Sequence, residues 1–177
     1  MPTSTGSSAR SWWRTGRPWS TGSRCSPSSS PDDGPGQSLS ATRPSRKQAR
    51  RDALFLLYQR DVTSLSMQEL VEGQRLREGY MPDAFTVRAV QGVITRQMEI
   101  DAELTRQSSS WPLYRMAPLE RSILRLALWE MDSGGTPTPV AIDEAVRLAK
   151  RYATDEAGAF VNGILGAIQR EREESGG

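Results

Sequence analysis

The chain has 177 residues, with 23 Lys and Arg, 21 Asp and Glu, one cysteine and no histidine. A single cysteine excludes a disulfide framework, and the lack of histidine removes the commonest general base and metal ligand. Residues 1–51 carry nine basic and two acidic residues, a net charge of +7, whereas residues 52–177 carry 14 basic and 19 acidic residues, a net charge of −5. A basic segment ahead of an acidic body suggests two partners of opposite charge, an anionic polymer and a basic protein.

The first 45 residues are rich in Ser, Gly, Pro and Arg and contain almost no aliphatic residue. Such a segment cannot bury enough apolar area to offset the entropy lost on ordering, so we expect a disordered tail over 1–45. Its tryptophans lie among arginines, which suits stacking on single-stranded bases, but an unstructured extension without that role is the interpretation we favour. No apolar run approaches the roughly 20 residues of a membrane helix, and the N-terminus lacks the apolar core of a secretory signal. The sequence therefore predicts a cytoplasmic protein.

From Ser45 onward the pattern is helical. Ser45 is the expected N-cap of a first helix over about 45–60. Ser66 and Glu69 form a capping box for a second helix. Its inner face is expected to carry Leu70 and Leu76, and Gly79 is expected to end it.

The third helix is expected to open at Pro82–Asp83. Its apolar residues recur with the period of about 3.6 residues that marks a helix face: Phe85, Val90, Val93, Ile94 and Met98. Ile100 and Leu104 begin a short fourth helix that ends in the serine run 108–110.

A fifth helix begins at Pro118 and is apolar on most sides, which predicts the central buried helix. Thr138 is expected to cap a sixth helix with Pro139 at its first position, and Thr154 or Asp155 to cap a seventh. Gly158, Gly163 and Gly166 inside the seventh predict close helix–helix approach. No convincing strand pattern occurs, so the fold class is all-α, with one domain over 46–177.

No residue pattern is typical of catalysis. Asp143 and Glu144 are neighbours on a helix and point in different directions, so they do not form an acid/base pair. The serines at 108–110 have no histidine and no obvious lysine base, and the glycines follow no phosphate-loop order. We expect no enzyme, no cofactor and no metal site.

The strongest binding signal is the basic start of the first helix. Arg46, Lys47, Arg50 and Arg51 lie within its first turns, and Lys47, Arg51 and Tyr58 fall along one stripe. Cations beside an aromatic ring suit single-stranded RNA better than duplex DNA, for which no recognition helix is visible. The alternative is a solvated helix end with no ligand.

Two other features bear on this choice. Lys150 and Arg151 end the sixth helix and would extend the positive surface if the two helix ends meet in the fold. Phe160 is a second candidate stacking ring, although a phenylalanine at helical spacing is more often a core residue.

Four segments carry a resemblance to the NusB family of bacterial transcription antitermination factors, which covers residues 46–170. They are A-R-R-D-A-L-F-L-L-Y-Q (49–59), L-E-R-S-I-L-R-L-A-L-W-E (119–130), T-P-V-A-I-D-E-A-V-R-L-A-K-R-Y (138–152) and D-E-A-G-A-F-V-N-G-I-L-G (155–166). The resemblance implies seven helices in two small packed bundles, here about 46–98 and 99–172. It also implies binding to the boxA element of ribosomal RNA leaders, together with the small-subunit ribosomal protein NusE, in an antitermination complex with RNA polymerase.

The resemblance also implies roles for single residues. Glu120 corresponds to a position that contacts NusE. Ala159 stands where some relatives carry a lysine, so one phosphate contact is absent by this comparison. The implied RNA-facing residues, to which the charge pattern adds Arg51, are Arg46, Lys47, Arg50, Tyr58, Glu156 and Phe160.

Several alternatives remain open at this stage. Some relatives self-associate through the RNA surface, so a homodimer is one of them. A helical adaptor without specific RNA binding is another. The RNA-docking domain of certain rRNA cytosine methyltransferases is a third, but that enzyme needs a further Rossmann-like domain with a catalytic cysteine, which this sequence does not contain.

Overall fold

The computed structural model describes residues 45–78, 81–108, 111–133 and 135–176. Within these ranges the chain forms helices and no strand, which confirms the all-α prediction. The elements are α1 (Arg46–Thr63), α2 (Met67–Glu78), α3 (Ala84–Thr95), α4 (Gln97–Gln107), a 3₁₀ helix (Leu113–Arg115), α5 (Pro118–Asp132), α6 (Thr138–Tyr152) and α7 (Asp155–Ser175). Among them, no helix combines the length and apolarity that a membrane crossing requires. The predicted tail, apart from Ser45, and the predicted stop at Gly79 lie outside the described residues.

The first two helices start where their capping residues predict. The Ser45 hydroxyl accepts a hydrogen bond from the backbone N–H of Gln48 at 3.2 Å. In the predicted capping box, the N–H of Ser66 donates to Glu69 Oε2 at 2.8 Å, and the N–H of Glu69 donates to Ser66 Oγ at 3.3 Å. These bonds satisfy donors that have no partner inside the helix.

Among the later helices, α3 and α7 also have side-chain caps, whereas α4, α5 and α6 do not. Asp83 accepts from the N–H of Phe85 at 2.8 Å, and Thr154 accepts from the N–H of Ala157 at 3.1 Å. The predicted cap of α6 is wrong by one position, because Pro137 is the N-cap and Thr138 is already helical. A proline N-cap offers no side-chain oxygen, so this helix start lacks a side-chain hydrogen bond.

The helix α5 lies at the centre of the fold and packs against α1, α3, α4, α6 and α7. Leu124 and Leu128 on this helix are fully buried, and Ile123 and Leu126 are nearly so. The prediction of a central buried helix is therefore confirmed. The buried side chains form one continuous cluster on both sides of residue 98, and the division into two bundles remains a prediction.

Two predicted core residues are exposed instead. The side chain of Leu76 is 78% exposed and that of Met98 is 88% exposed. Met98 belongs to α4 rather than α3, because the helical hydrogen bonding is interrupted at Arg96, so the period of α3 does not extend to it. Leu76 lies near the end of α2, which packs mainly against α1.

The predicted role of the glycines in α7 holds for one of the three. A Cβ on Gly158 would lie 2.6 Å from Cγ of Lys150, so α6 does approach α7 closely there. Gly163 has nothing within 4 Å of such a Cβ, and Gly166 has only a guanidinium nitrogen of Arg170 at 3.5 Å. The prediction is wrong for these two because both face away from the neighbouring helices.

Candidate nucleic-acid interface

The start of α1 exposes two cations. Arg46 and Lys47 are exposed, and the first turn of α1 contains no acidic residue. The guanidinium carbon of Arg46 lies 4.4 Å from the centroid of the Phe85 ring. Among the described residues, no carboxylate lies within ion-pair distance of either cation. Positive charge at a helix N-terminus opposes the helix dipole, so these cations do not stabilise α1. They remain available to an anionic ligand.

Arg50 does not share this exposure. Its side chain faces the interior, and the residue is 5% exposed. Its Nε donates to Oε2 of Glu130 at 2.8 Å and to Oε1 at 3.0 Å, and Glu144 lies 3.9 Å from Nη1. A buried guanidinium whose charge is already paired cannot meet a phosphate. The expected RNA contact by Arg50 therefore does not fit its position, and we assign it to the core.

A second contact fixes the same part of α1. The hydroxyl of Thr86 in α3 donates to the backbone oxygen of Ala49 at 3.0 Å, and both residues are buried. The hydroxyl of Thr136, before α6, donates to Glu130 Oε1 at 3.1 Å and so completes the environment of the Arg50 ion pair. The first turns of α1 are thus held by α3 and α5 while Arg46 and Lys47 face solvent.

The middle of α1 meets the end of α6. The rings of Phe55 and Tyr152 pack edge to face with centroids 5.1 Å apart. Tyr152 lies two residues before Thr154, the N-cap of α7. The start of α7 therefore follows this contact within a few residues of the chain, and Tyr58 is half-buried on α1, one turn beyond Phe55. We call this region the α1–α6–α7 surface, defined by Arg51, Phe55, Tyr58, Arg151, Tyr152, Glu156 and Phe160.

The basic end of α6 contributes to this surface. The sequence alone did not show whether the basic residues of α1 and α6 would meet. Arg151 is exposed, and its guanidinium carbon lies 5.5 Å from the centroid of the Tyr152 ring. Lys150 is also exposed, and its aliphatic stem crosses Gly158. The cation Arg51 stays partly exposed on α1, and its Nη2 lies 3.6 Å from Oδ1 of its sequence neighbour Asp52. Cations of α1 and α6 therefore flank the same pair of rings.

At the start of α7 the two predicted residues differ in exposure. Glu156 is exposed, and hydrogen bonds from its own backbone N–H and from the Thr154 hydroxyl lower the pKa of its carboxyl below the usual 4.5. The carboxylate therefore stays ionised near neutral pH and can only accept hydrogen bonds. Phe160 is partly buried and packs against the core with part of its surface exposed.

Sequence reasoning missed three rings that lie beside the cations of α1 and α6. Phe55 and Tyr152 are 97 positions apart, and their pairing is visible only in the fold. The sequence indicated only a core role for Phe85, yet the guanidinium of Arg46 packs on its ring. The signal in the sequence was limited to the aromatic identity of these residues near basic ones.

Glu120 lies at a different place, near the C-terminal end of α1. It is half-buried in the first turn of α5. Its neighbour Arg121 pairs with Asp61 of α1 and donates to the backbone oxygen of Leu113 at 3.1 Å. Val62 follows Asp61 in the sequence and Tyr114 follows Leu113, and both side chains are exposed. We call Val62, Tyr114 and Glu120 the Glu120 surface.

A buried arginine, Arg125, shares the carboxylate of Asp61 with Arg121 and so connects the Glu120 surface to the interior. Arg125 donates to both carboxylate oxygens of Asp101 at 2.7 Å and to Asp61 Oδ1 at 2.9 Å. Burial opposes its charge, but the hydrogen bonds and charges of these two carboxylates outweigh that effect and raise the pKa of Arg125. The bidentate geometry fixes α1 and α4 against α5 beneath the Glu120 surface.

Comparisons with known proteins agree with this architecture. The NusB family model matches residues 47–170. The transcription antitermination protein NusB of Solibacter usitatus is 38% identical over 134 residues, which is 73% of this chain and 92% of that protein. That of Rubrobacter xylanophilus is 43% identical over 122 residues, which is 68% of this chain and 87% of that protein.

Solved structures are similar as well. NusB of T. maritima superposes with a TM-score of 0.65 at 32% identity, covering 73% of this chain and 94% of that one. A crystal structure of the antitermination factors NusB and NusE in complex with double-stranded RNA gives a TM-score of 0.63 at 28% identity, covering 71% of this chain and 96% of the matched one. The matches span nearly the whole length of these relatives and include every helix that builds the two surfaces. The chain belongs to the NusB family.

Proposed function

We propose that this chain is a non-catalytic transcription antitermination factor that acts in the cytoplasm. It binds single-stranded boxA RNA from the leaders of ribosomal RNA operons together with NusE, and it acts in a complex that includes RNA polymerase. The observation that carries the proposal is the α1–α6–α7 surface, where exposed cations flank partly exposed rings. The solved complex of a related NusB with NusE and RNA supports the same combination of partners.

The chemistry of this surface suits single-stranded RNA. Its cations Arg51 and Arg151 are at least partly exposed, and Arg46 and Lys47 at the start of α1 are exposed as well, so all four can neutralise phosphates. Partly exposed rings such as Tyr58 can stack on unpaired bases, which have no partner strand. These contacts are tolerant of sequence, so they supply affinity rather than specificity.

Glu156 would supply part of the specificity. A carboxylate repels phosphates and accepts hydrogen bonds from base amino groups, such as N4 of cytosine. Glu156 is ionised at neutral pH, as any carboxyl with a pKa at or below 4.5 is, and the hydrogen bonds that lower its pKa favour the same accepting form. We therefore expect Glu156→Gln to weaken binding to boxA RNA more than binding to a scrambled RNA. The ratio of the two affinities should fall.

The Glu120 surface would bind NusE. It combines a half-buried carboxylate with exposed apolar side chains, and two arginine–aspartate ion pairs hold it rigid. The acidic body, net −5 over residues 52–177, adds long-range attraction for a basic ribosomal protein. Because this surface lies at the other end of α1 from Arg46 and Lys47, with Tyr58 and Val62 one turn apart where the two surfaces meet, we expect NusE and RNA to bind at the same time.

The test is fluorescence anisotropy with an end-labelled boxA oligoribonucleotide and a scrambled control, with and without NusE. We expect a boxA preference, steep weakening with salt, and tighter binding when NusE is present. Glu120→Arg should abolish the NusE effect and leave binding to RNA alone unchanged.

Two outcomes would contradict the proposal. NusE binding without any RNA binding would favour a helical adaptor. Equal affinity for boxA and scrambled RNA would limit the function to non-specific RNA binding. Sedimentation in the same buffers tests self-association, because a homodimer formed through the α1–α6–α7 surface should dissociate when boxA RNA is added.

A further inference from the structure

The ring of Phe85 stands between two arginines of α1 and a tryptophan of α5. The guanidinium carbon of Arg46 lies 4.4 Å from its centroid and that of Arg50 lies 6.0 Å away. Trp129 packs against the same ring edge to face, with centroids 5.9 Å apart. Phe85 itself is buried, because these neighbours cover it. The ring is therefore the inner support of an exposed cation.

The support is rigid. The N–H of Phe85 donates to Asp83 at 2.8 Å, which fixes the first turn of α3. The indole of Trp129 lies directly against Gly92, where any Cβ would overlap it. The ring thus has a fixed backbone on one side and a fixed indole on the other.

Arg46 differs from Arg50 in what holds it. Arg50 is neutralised by a carboxylate in the core, whereas Arg46 rests on a ring that leaves its full positive charge in place. Within the described residues no carboxylate is within ion-pair distance of Arg46. A long side chain that is already held loses less conformational freedom when it meets a ligand.

We propose that Phe85 is a positioning residue for RNA binding: its ring holds the charged guanidinium of Arg46 in place before the RNA arrives. This rests on the proposed function, because it assigns the role of Phe85 within the same RNA interaction. Phe85 does not touch the RNA. Its effect passes through Arg46.

Charge and positioning are separable by experiment. Phe85→Leu keeps an apolar side chain and leaves the charge of Arg46, so affinity for boxA RNA should fall about two- to fivefold with an unchanged salt dependence. Arg46→Ala removes the charge itself, so the slope of log K against log salt should become shallower by about 0.7. Phe85→Tyr keeps the ring and should restore affinity.

A double-mutant cycle gives the decisive result. If Phe85 acts through Arg46, Phe85→Leu should have no further effect on RNA affinity in the Arg46→Ala background. The matched control is Val93→Ala, a buried truncation on the same helix, whose effect should be equal in both backgrounds. Equal losses from Phe85→Leu in both backgrounds would overturn the proposal, since they would reflect core damage alone.

A second measurement needs no variant. In the free protein the side-chain protons of Arg46 should show upfield ring-current shifts, and random-coil shifts would also overturn the proposal. Failure of the wild-type protein to bind RNA would refute the proposed function itself. RNA binding with additive effects would refute only the role of Phe85.

Discussion

The guanidinium of Arg50 is buried against the carboxylate of Glu130, with Nε 2.8 Å from Oε2 and 3.0 Å from Oε1. The two residues are 5% and 2% exposed. The hydroxyl of Thr136 donates to the same carboxylate. This pair joins α1 to α5 across 80 positions of sequence, so it fixes the orientation in which α1 presents Arg46 and Lys47.

Removing one partner of this pair should be costly. We expect Arg50→Met to destabilise the fold by about 3–5 kcal/mol, because Glu130 would keep a buried charge without a partner. The double variant Arg50→Met/Glu130→Leu should lie much closer to the wild type, since no unpaired charge remains. Urea unfolding measures both, with Arg51→Met as an exposed control expected to change stability by less than about 0.5 kcal/mol. Equal losses for Arg50→Met and Arg51→Met would show that Arg50 is not held in the core.

The salt dependence of RNA binding should separate surface cations from buried ones. Lys47→Ala should make the slope of log K against log salt shallower by about 0.7, the value per neutralised phosphate of a single strand. The double variant Arg50→Met/Glu130→Leu should leave the slope unchanged, because the guanidinium of Arg50 does not reach solvent. A shallower slope in that double variant would show that Arg50 does contact RNA phosphates.

The control for these slopes is Arg106→Ala. Arg106 is exposed near the end of α4. Its neighbour Gln107 donates a hydrogen bond to Glu171, which lies near the C-terminal end of α7, whereas Glu156 lies at the start of that helix. Its removal should leave RNA binding unchanged apart from the small effect of net charge.

Two glycine-to-alanine substitutions should have opposite effects. A Cβ at Gly92 would overlap the indole nitrogen of Trp129 and lie 2.6 Å from Cε2, so Gly92→Ala should destabilise by about 1–3 kcal/mol. Gly163→Ala meets nothing within 4 Å and should stabilise α7 by roughly 0.5–1 kcal/mol, because alanine is the better helix former. Thermal unfolding of the two variants checks both signs. Stabilisation by Gly92→Ala would mean that the indole can move away.

The capping box of α2 should make stability depend on pH at acid values. Hydrogen bonds from the Ser66 hydroxyl and backbone N–H lower the pKa of Glu69 below its usual 4.5. A carboxyl with a lowered pKa in the folded state stabilises fully above its unfolded pKa, and this contribution disappears as pH falls through the folded value. The stability difference between the wild type and Glu69→Gln should therefore shrink between pH 6 and pH 3, as followed by urea unfolding. Ser66→Ala should remove most of that pH-dependent difference, and a difference that stays constant would contradict the capping geometry.

Local signals in the sequence were sufficient for the starts of α1, α2, α3 and α7. Ser45, Ser66, Asp83 and Thr154 each bond a backbone N–H two or three residues away, so the sequence contains both partners of the cap. The apolar residues on most sides of α5 likewise predicted its burial, because a helix that is apolar on most sides has to be enclosed. The resemblance of four segments then indicated the family, which the comparisons confirm.

Features that depend on two distant residues were not predictable in this way. Nothing in the sequence distinguished the charge of Arg50 from that of Arg46. In the fold, Arg50 forms a buried ion pair with Glu130, whereas Arg46 packs on the ring of Phe85 at the surface. Gly163 and Gly92 were also indistinguishable until the packing of α3 against α5 brought Trp129 to one of them.

The sequence by itself determined an all-α protein of this family with cations at the start of its first helix. Only the tertiary structure decided which of those cations meet solvent and which rings lie beside them. The physical reason is range: caps and helix faces are set by residues within one or two turns, whereas exposure and pairing depend on helices that meet after folding.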